Sequence, residues 1–93
     1  MQIPLSIPKN HDVFSGHFPD DPLLPGALLI EWIAQSIEAS STFSITEIKK
    51  VKFIKPVRPN EKLILTLNQK QDHLIVEASS EKGTHIKGKF FYV

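Results

Sequence analysis

Over most of the second half of the chain, apolar and polar residues alternate with a period of two. Leu63, Leu65 and Leu67 fall together, opposite Thr66 and Asn68; Leu74, Val76 and Ala78 oppose His73, Ile75 and Glu77; Ile86, Phe90 and Tyr92 oppose Lys87 and Lys89. Successive side chains of a strand point to opposite faces, so this pattern predicts strands over 62–70, 73–80 and 84–93, each with one buried face. Turns are expected at Arg58-Pro59-Asn60, Gln71-Asp72 and Lys82-Gly83, which makes these three and the strand before them an antiparallel meander. An earlier strand is predicted over 45–57, with Val51, Phe53 and Val57 on one face and Lys50 and Lys52 on the other, turning at Arg58-Pro59-Asn60. Residues 3–7 read as a short first strand, and Pro4 and Pro8 place it at an edge, where a missing backbone N–H is tolerated.

The period changes once. Leu29, Ile30, Ile33, Ala34 and Ile37 follow helical spacing, and Leu28 and Trp32 widen that apolar face until it nearly encircles the helix predicted over 27–42. Ser40-Ser41-Thr42 ends it. Residues 9–26 carry Gly16, Pro19, Pro22, Pro25 and Gly26 and read as an ordered loop, a length that more often serves function than connection. One helix and one sheet, each apolar toward the other, make an α+β layer in a single domain over 1–93.

Composition narrows the function. A chain of 93 residues buries a modest fraction of its surface, so oligomerisation is a natural way to complete the core. A formal charge of +1 gives no general case for nucleic acid. There is no cysteine, which excludes disulfides, thiolate metal sites and a cysteine nucleophile and suits a reducing cytoplasm. The N-terminus lacks the basic flank and long apolar core of a signal peptide. The longest apolar stretch, Ala27 to Ala34, is broken by Glu31 and too short to cross a bilayer, so no membrane association is expected. No histidine pair has metal-ligand spacing, and His11, His73 and His85 read as surface residues.

The stretch from Phe14 to Gln35 carries the chemistry. His17 is a candidate base, because imidazole titrates near neutrality; the alternative is a loop histidine satisfied by backbone groups. Glu31 is a candidate acid; the alternative is a wet face, since Glu31, Gln35, Glu38 and Thr42 form a polar stripe at helical spacing. Burial would raise its pKa and the nearby helix N-terminus would lower it. Gly26 is a candidate oxyanion donor, its amide at a helix start where N–H groups are unpaired; the alternative is an ordinary loop-to-helix glycine. A base, an acid and a helix N-terminus are what is needed to remove the proton beside a thioester carbonyl and expel a β-hydroxyl.

Gly16-His17-Phe18-Pro19, Pro22, Pro25-Gly26, Glu31 and Ala34-Gln35 resemble the signature of the hotdog-fold 3-hydroxyacyl-acyl carrier protein dehydratases, and Lys52 to Pro59 is consistent with it. The resemblance implies a curved antiparallel sheet wrapped around one central helix. It implies dehydration of a carrier-bound 3-hydroxyacyl thioester to the trans-2-enoyl product, with no cofactor beyond the phosphopantetheine of acyl carrier protein. His17 and Glu31 are then catalytic, Gly26 gives the oxyanion amide, and the Leu23 carbonyl orients the histidine ring. The resemblance also implies a homodimer pairing sheets edge to edge, with histidine and acid from different subunits. Asp20 stands where the family usually has Gly. The early first strand and Glu31-Trp32 look more like the short dehydratases of aryl-polyene pathways. A hotdog thioesterase and a non-catalytic acyl-binding subunit are the other functions this fold would allow. Lys49, Lys50, Lys52, Lys55 and Arg58 form a basic run facing an acidic carrier, and Lys55 and Arg58 beside Pro56 are the expected docking residues, against the reading of a merely solvated face.

Overall fold

A computed structural model describes residues 1–6, 26–58 and 61–93. Five strands and one helix follow in the order β1 (Gln2–Ser6), α1 (Gly26–Ser40), β2 (Ile45–Phe53), β3 (Lys62–Gln69), β4 (His73–Ser80) and β5 (Gly83–Tyr92). The strands form one antiparallel sheet in the order β1-β3-β4-β5-β2. The expected meander is therefore limited to β3-β4-β5. β2 departs from it by crossing to the far edge beside β5, and β1 takes the other edge, where Pro4 is tolerated. The chain makes the hotdog arrangement of one sheet against one helix.

Alternation decides the core. Leu63, Leu65 and Leu67 of β3, Leu74, Val76 and Ala78 of β4, and Ile86 and Phe90 of β5 are all buried on the helix side of the sheet, where they meet Leu29, Ile33 and Ile37 of α1. Full burial of a side chain such as Ile33 contributes about 1.5–3 kcal/mol. The helix is less uniformly covered than its composition implies. Leu28, Ile30, Trp32 and Ala34 are half-buried, and Glu31, Gln35 and Glu38 are exposed. Its end is set locally: the Ser41 hydroxyl donates to the Ile37 carbonyl at 2.5 Å and accepts from the Phe43 amide at 3.3 Å, an alternative to continuing the helix. None of the described helices is long and apolar enough to cross a membrane.

Two register shifts correct the sequence reading. Between β4 and β5, Ala78 faces Ile86 but Ser79 faces Thr84, so His85 is an extra residue in a β-bulge. The bulge turns His85 and Ile86 inward together, and His85 is buried at 1% exposure rather than lying on the surface. In β2, Lys49 faces Lys89 while Lys52 faces Lys87, again one residue too many. Lys50, inside this bulge, has φ of 54°, in the left-handed region that few non-glycine residues adopt. β2 also ends at Phe53, short of the expected residue 57. The Ile54 and Lys55 amides both donate to the His85 carbonyl, at 2.8 and 3.1 Å, and Pro56 has no amide to continue a ladder. Val57 is buried as expected, whereas Phe53 is 56% exposed.

Candidate active site

Glu31 sits on the side of α1 that faces β2. Ala27, Ile30, Glu31, Ala34 and Glu38 lie at helical spacing along that side and, with Ile45, Thr46, Glu47 and Ile48, line an open cleft of about 410 Å³. The cleft is apolar at Ala27, Ile30, Ala34, Ile45 and Ile48, and acids border it. Gln35 Nε2 donates to Glu31 Oε1 at 3.4 Å, one turn along. At the far end, Glu38 Oε2 accepts the Ile45 amide at 3.0 Å, which fixes the start of β2 against the end of α1. In the single chain Glu31 is exposed, so the polar stripe foreseen as the alternative does describe this face of α1.

Gly26 is the first residue of α1, where an amide has no partner within the helix. A Cβ built there would lie 2.7 and 2.8 Å from Cε1 and Cζ of Phe53. The glycine thus leaves room for a close neighbour from β2, the exposed Phe53 ring. The sequence offered Phe53 as a core residue; it is instead the lid over the start of the helix. Glu31 follows Gly26 by five residues, about 7.5 Å along the axis. His17 and Leu23 fall outside the described residues.

Lys55 and Arg58 belong to a different arrangement, at the other end of β5. Lys55 Nζ donates to the Lys82 carbonyl, beside Gly83, whose φ of +110° makes the β4–β5 turn. The Arg58 amide donates to Glu61 Oε1 at 3.2 Å. His85 ties this segment down. Nδ1 lies 3.0 Å from the Pro56 carbonyl, which can only accept, so this nitrogen carries a proton. In the neutral ring Nε2 then accepts from the Ser80 hydroxyl at 2.6 Å. Glu61 Oε2 lies 3.5 Å from Nε2, buried and with no hydrogen-bond partner among the described residues. Periodicity could not reveal this cluster, because it depends on the bulge. At 1% exposure His85 is closed to substrate and serves to hold segment 54–58 against β5. Among the described residues no group of three or more histidines and carboxylates could hold a metal ion.

Comparison with known proteins agrees with this architecture. Residues 1–89 match the model of the ApeI-like family, described as ApeI dehydratase. A solved structure titled as the dehydratase heterocomplex ApeI:P of Xenorhabdus doucetiae superposes with a TM-score of 0.78 at 30% identity, covering 98% of this chain and 84% of that one. A pyran synthase domain of the sorangicin pathway superposes at 0.81 over 98% of this chain and 34% of that one, and at 20% identity it shows the fold alone. The curated 3-hydroxyacyl-[acyl-carrier-protein] dehydratase FabZ of Syntrophobacter fumaroxidans is 38% identical over 68 residues, which cover 62% of this chain and 46% of the relative. The chain spans about half the length of the curated relatives it matches. With its sheet, its helix and its acid-bearing cleft in place, the chain belongs to the ApeI-like dehydratase family.

Proposed function

We propose that the chain dehydrates a 3-hydroxyacyl thioester carried on acyl carrier protein, releasing water and leaving the trans-2-enoyl thioester. The observation that carries this reading is Glu31, a carboxyl group at the edge of an apolar cleft on the helix that begins at Gly26. His17 removes the α-proton. The thioester oxygen gains negative charge and accepts a hydrogen bond from the Gly26 amide, where the helix dipole favours it. Glu31, protonated, gives its proton to the β-hydroxyl, which leaves as water as the α,β double bond forms. The Leu23 carbonyl orients the His17 ring. No cofactor enters beyond the phosphopantetheine arm that delivers the acyl group.

The exposure of Glu31 in a single chain favours an assembly. A second subunit over the cleft would exclude water, strengthen every electrostatic interaction inside, and bring a histidine to the acid from across the interface. We infer a homodimer, working in the cytoplasm; an aryl-polyene pathway fits the family it resembles. A heteromeric assembly, in which this chain supplies acyl binding to a partner's site, is the second reading, and the relative described as a heterocomplex favours it.

Mass spectrometry of a 3-hydroxyacyl carrier protein incubated with the purified chain separates these functions. Loss of one water is the expected result. Free carrier identifies a thioesterase, and an unchanged substrate identifies a binding subunit.

A further inference from the structure

His85 grips the chain just beyond β2 with both its backbone and its ring. Its carbonyl accepts the Ile54 and Lys55 amides, and its Nδ1–H donates to the Pro56 carbonyl. Three consecutive residues therefore hang on this one. The ring is itself held from behind. Nε2 accepts from the Ser80 hydroxyl, and Ser80 Oγ accepts the Lys82 amide at 3.1 Å, so the β4–β5 turn sets the plane of the imidazole. Beyond Pro56, Val57 is buried and the Arg58 amide donates to Glu61, which secures the far end of the segment.

Packing alone does not account for a histidine here. Among the described residues His85 is the one polar side chain that is fully buried. A buried imidazole is tolerated only where its nitrogens find partners, whereas leucine would fill the same space with no such demand. The hydrogen bonds are what the ring adds. Phe53 stands immediately before the clamped residues. It lies opposite Ile86 in register, so its side chain leaves the sheet on the helix side, where its ring rests against Gly26. Among the described strands β2 has a neighbour on one side only, so its end is held by β5 and by His85 in particular.

We propose that His85 is a positioning residue for the dehydration: by clamping residues 54–56 it keeps the Phe53 ring on the first residue of α1, and the ring shuts water away from the β2 side of the Gly26 amide. This rests on the reading of that amide as the donor to the thioester oxygen. A hydrogen bond to a developing oxyanion is stronger where water is excluded. The oxygen carries its full charge only in the transition state, so a wetted amide slows the reaction more than it weakens substrate binding. His85 lies too deep to meet the substrate, and its influence runs through the backbone of 54–56 and a single ring.

Three replacements of His85 separate its hydrogen bonds from its volume. In H85N an amide N–H can stand where Nδ1–H stood; in H85Q the amide reaches toward Ser80 and the bond to Pro56 is lost; H85L keeps volume alone. These, F53A and the double variant H85L/F53A are made in the full chain. On each, the unfolding temperature, kcat and KM for a 3-hydroxyacyl N-acetylcysteamine thioester, and the nuclear Overhauser contact between Gly26 Hα and the Phe53 ring are measured. H85N should keep the contact and a kcat within about threefold of wild type. H85Q and H85L should lose the contact and about tenfold in kcat, with KM changed by less than about threefold. F53A should show the same loss of kcat, and H85L should add nothing to it. Should H85L fail to fold, H85Q takes its place in the F53A background. Wild-type contact and kcat in H85Q or H85L overturn the proposal, even if those variants unfold at lower temperature. Equal losses in H85N and H85L overturn it too, since the ring would then serve by packing. So does a His85 effect that multiplies with that of F53A, because it would travel by another route. If the wild-type chain dehydrates no thioester, the contact still decides whether His85 holds Phe53 on Gly26, and what falls is the dehydratase reading.

Discussion

β4 and β2 flank the same strand, β5, yet they follow different rules. Along β4 every second residue is buried, Leu74, Val76 and Ala78 in turn. Along β2 the half-buried positions are Ile45, Ile48 and Val51, three apart. β4 has a neighbour on each side, so any slip would carry its apolar set to solvent, and register is tightly specified. β2 is an edge strand with one neighbour, and it absorbs two register irregularities. Bulges concentrate at edges and beside functional sites, where they re-aim side chains. Here they send lysines outward, aim Phe53 at Gly26, and place Ile45 and Ile48 against the Glu31 cleft. The interior of the sheet carries stability, and its β2 edge borders the candidate site.

The sharpest test of that division is Glu31→Gln. The side chain is exposed and, among the described residues, hydrogen-bonds only to Gln35, so the variant should unfold at the wild-type temperature. Turnover should fall by about 10²–10⁴-fold, as when a general acid is lost. His17→Ala should do the same for the base. Mixing the two inactive variants should restore part of the activity if each site draws one group from each subunit. A folded Glu31→Gln with wild-type rate means that the cleft is not the site.

The opposite test removes one phenylalanine from each region. Phe90, in the interior of β5 and 2% exposed, should cost about 3–5 kcal/mol on truncation to alanine. Phe53, at the end of β2 and 56% exposed, should cost under about 1 kcal/mol. Urea unfolding of both variants measures the difference, and comparable losses would erase the distinction between core and edge.

The same contrast explains what could be read from the sequence. The three meander strands, their buried faces and the helix were legible, because in each a single period governs a long segment. Phe53, His85 and the limits of β2 were not. Each depends on a bulge, and a bulge inserts one residue without leaving a mark in the apolar pattern. The strand order was also hidden, since both edge strands find their partners through long connections rather than tight turns. The places of Gly26 at the start of the helix and of Glu31 one turn inside it were legible from residue type and spacing. What spacing and periodicity left open was whether Glu31 is exposed, and they gave no sign of the Phe53 ring that rests against Gly26.

The smallest expected effect tests that last contact. Gly26→Ala introduces a methyl group 2.7 Å from the Phe53 ring, too close for any real Cβ, so the ring must move. Two terms oppose each other. Alanine gains up to about 1 kcal/mol of helix propensity, less at a helix end. Displacing the ring costs a similar amount, because overpacking is relieved cheaply when the neighbour is an exposed side chain rather than backbone. The single variant should therefore be within about 1 kcal/mol of wild type. Adding Phe53→Ala removes the clash and leaves the propensity gain, so the double variant should be more stable than the sum of the two single changes implies. A coupling of at least about 0.5 kcal/mol in this cycle identifies the contact. Strict additivity would mean that the ring does not rest on Gly26 in solution. The start of the helix would then be open, with its amide reached from the β2 side without displacing an aromatic lid.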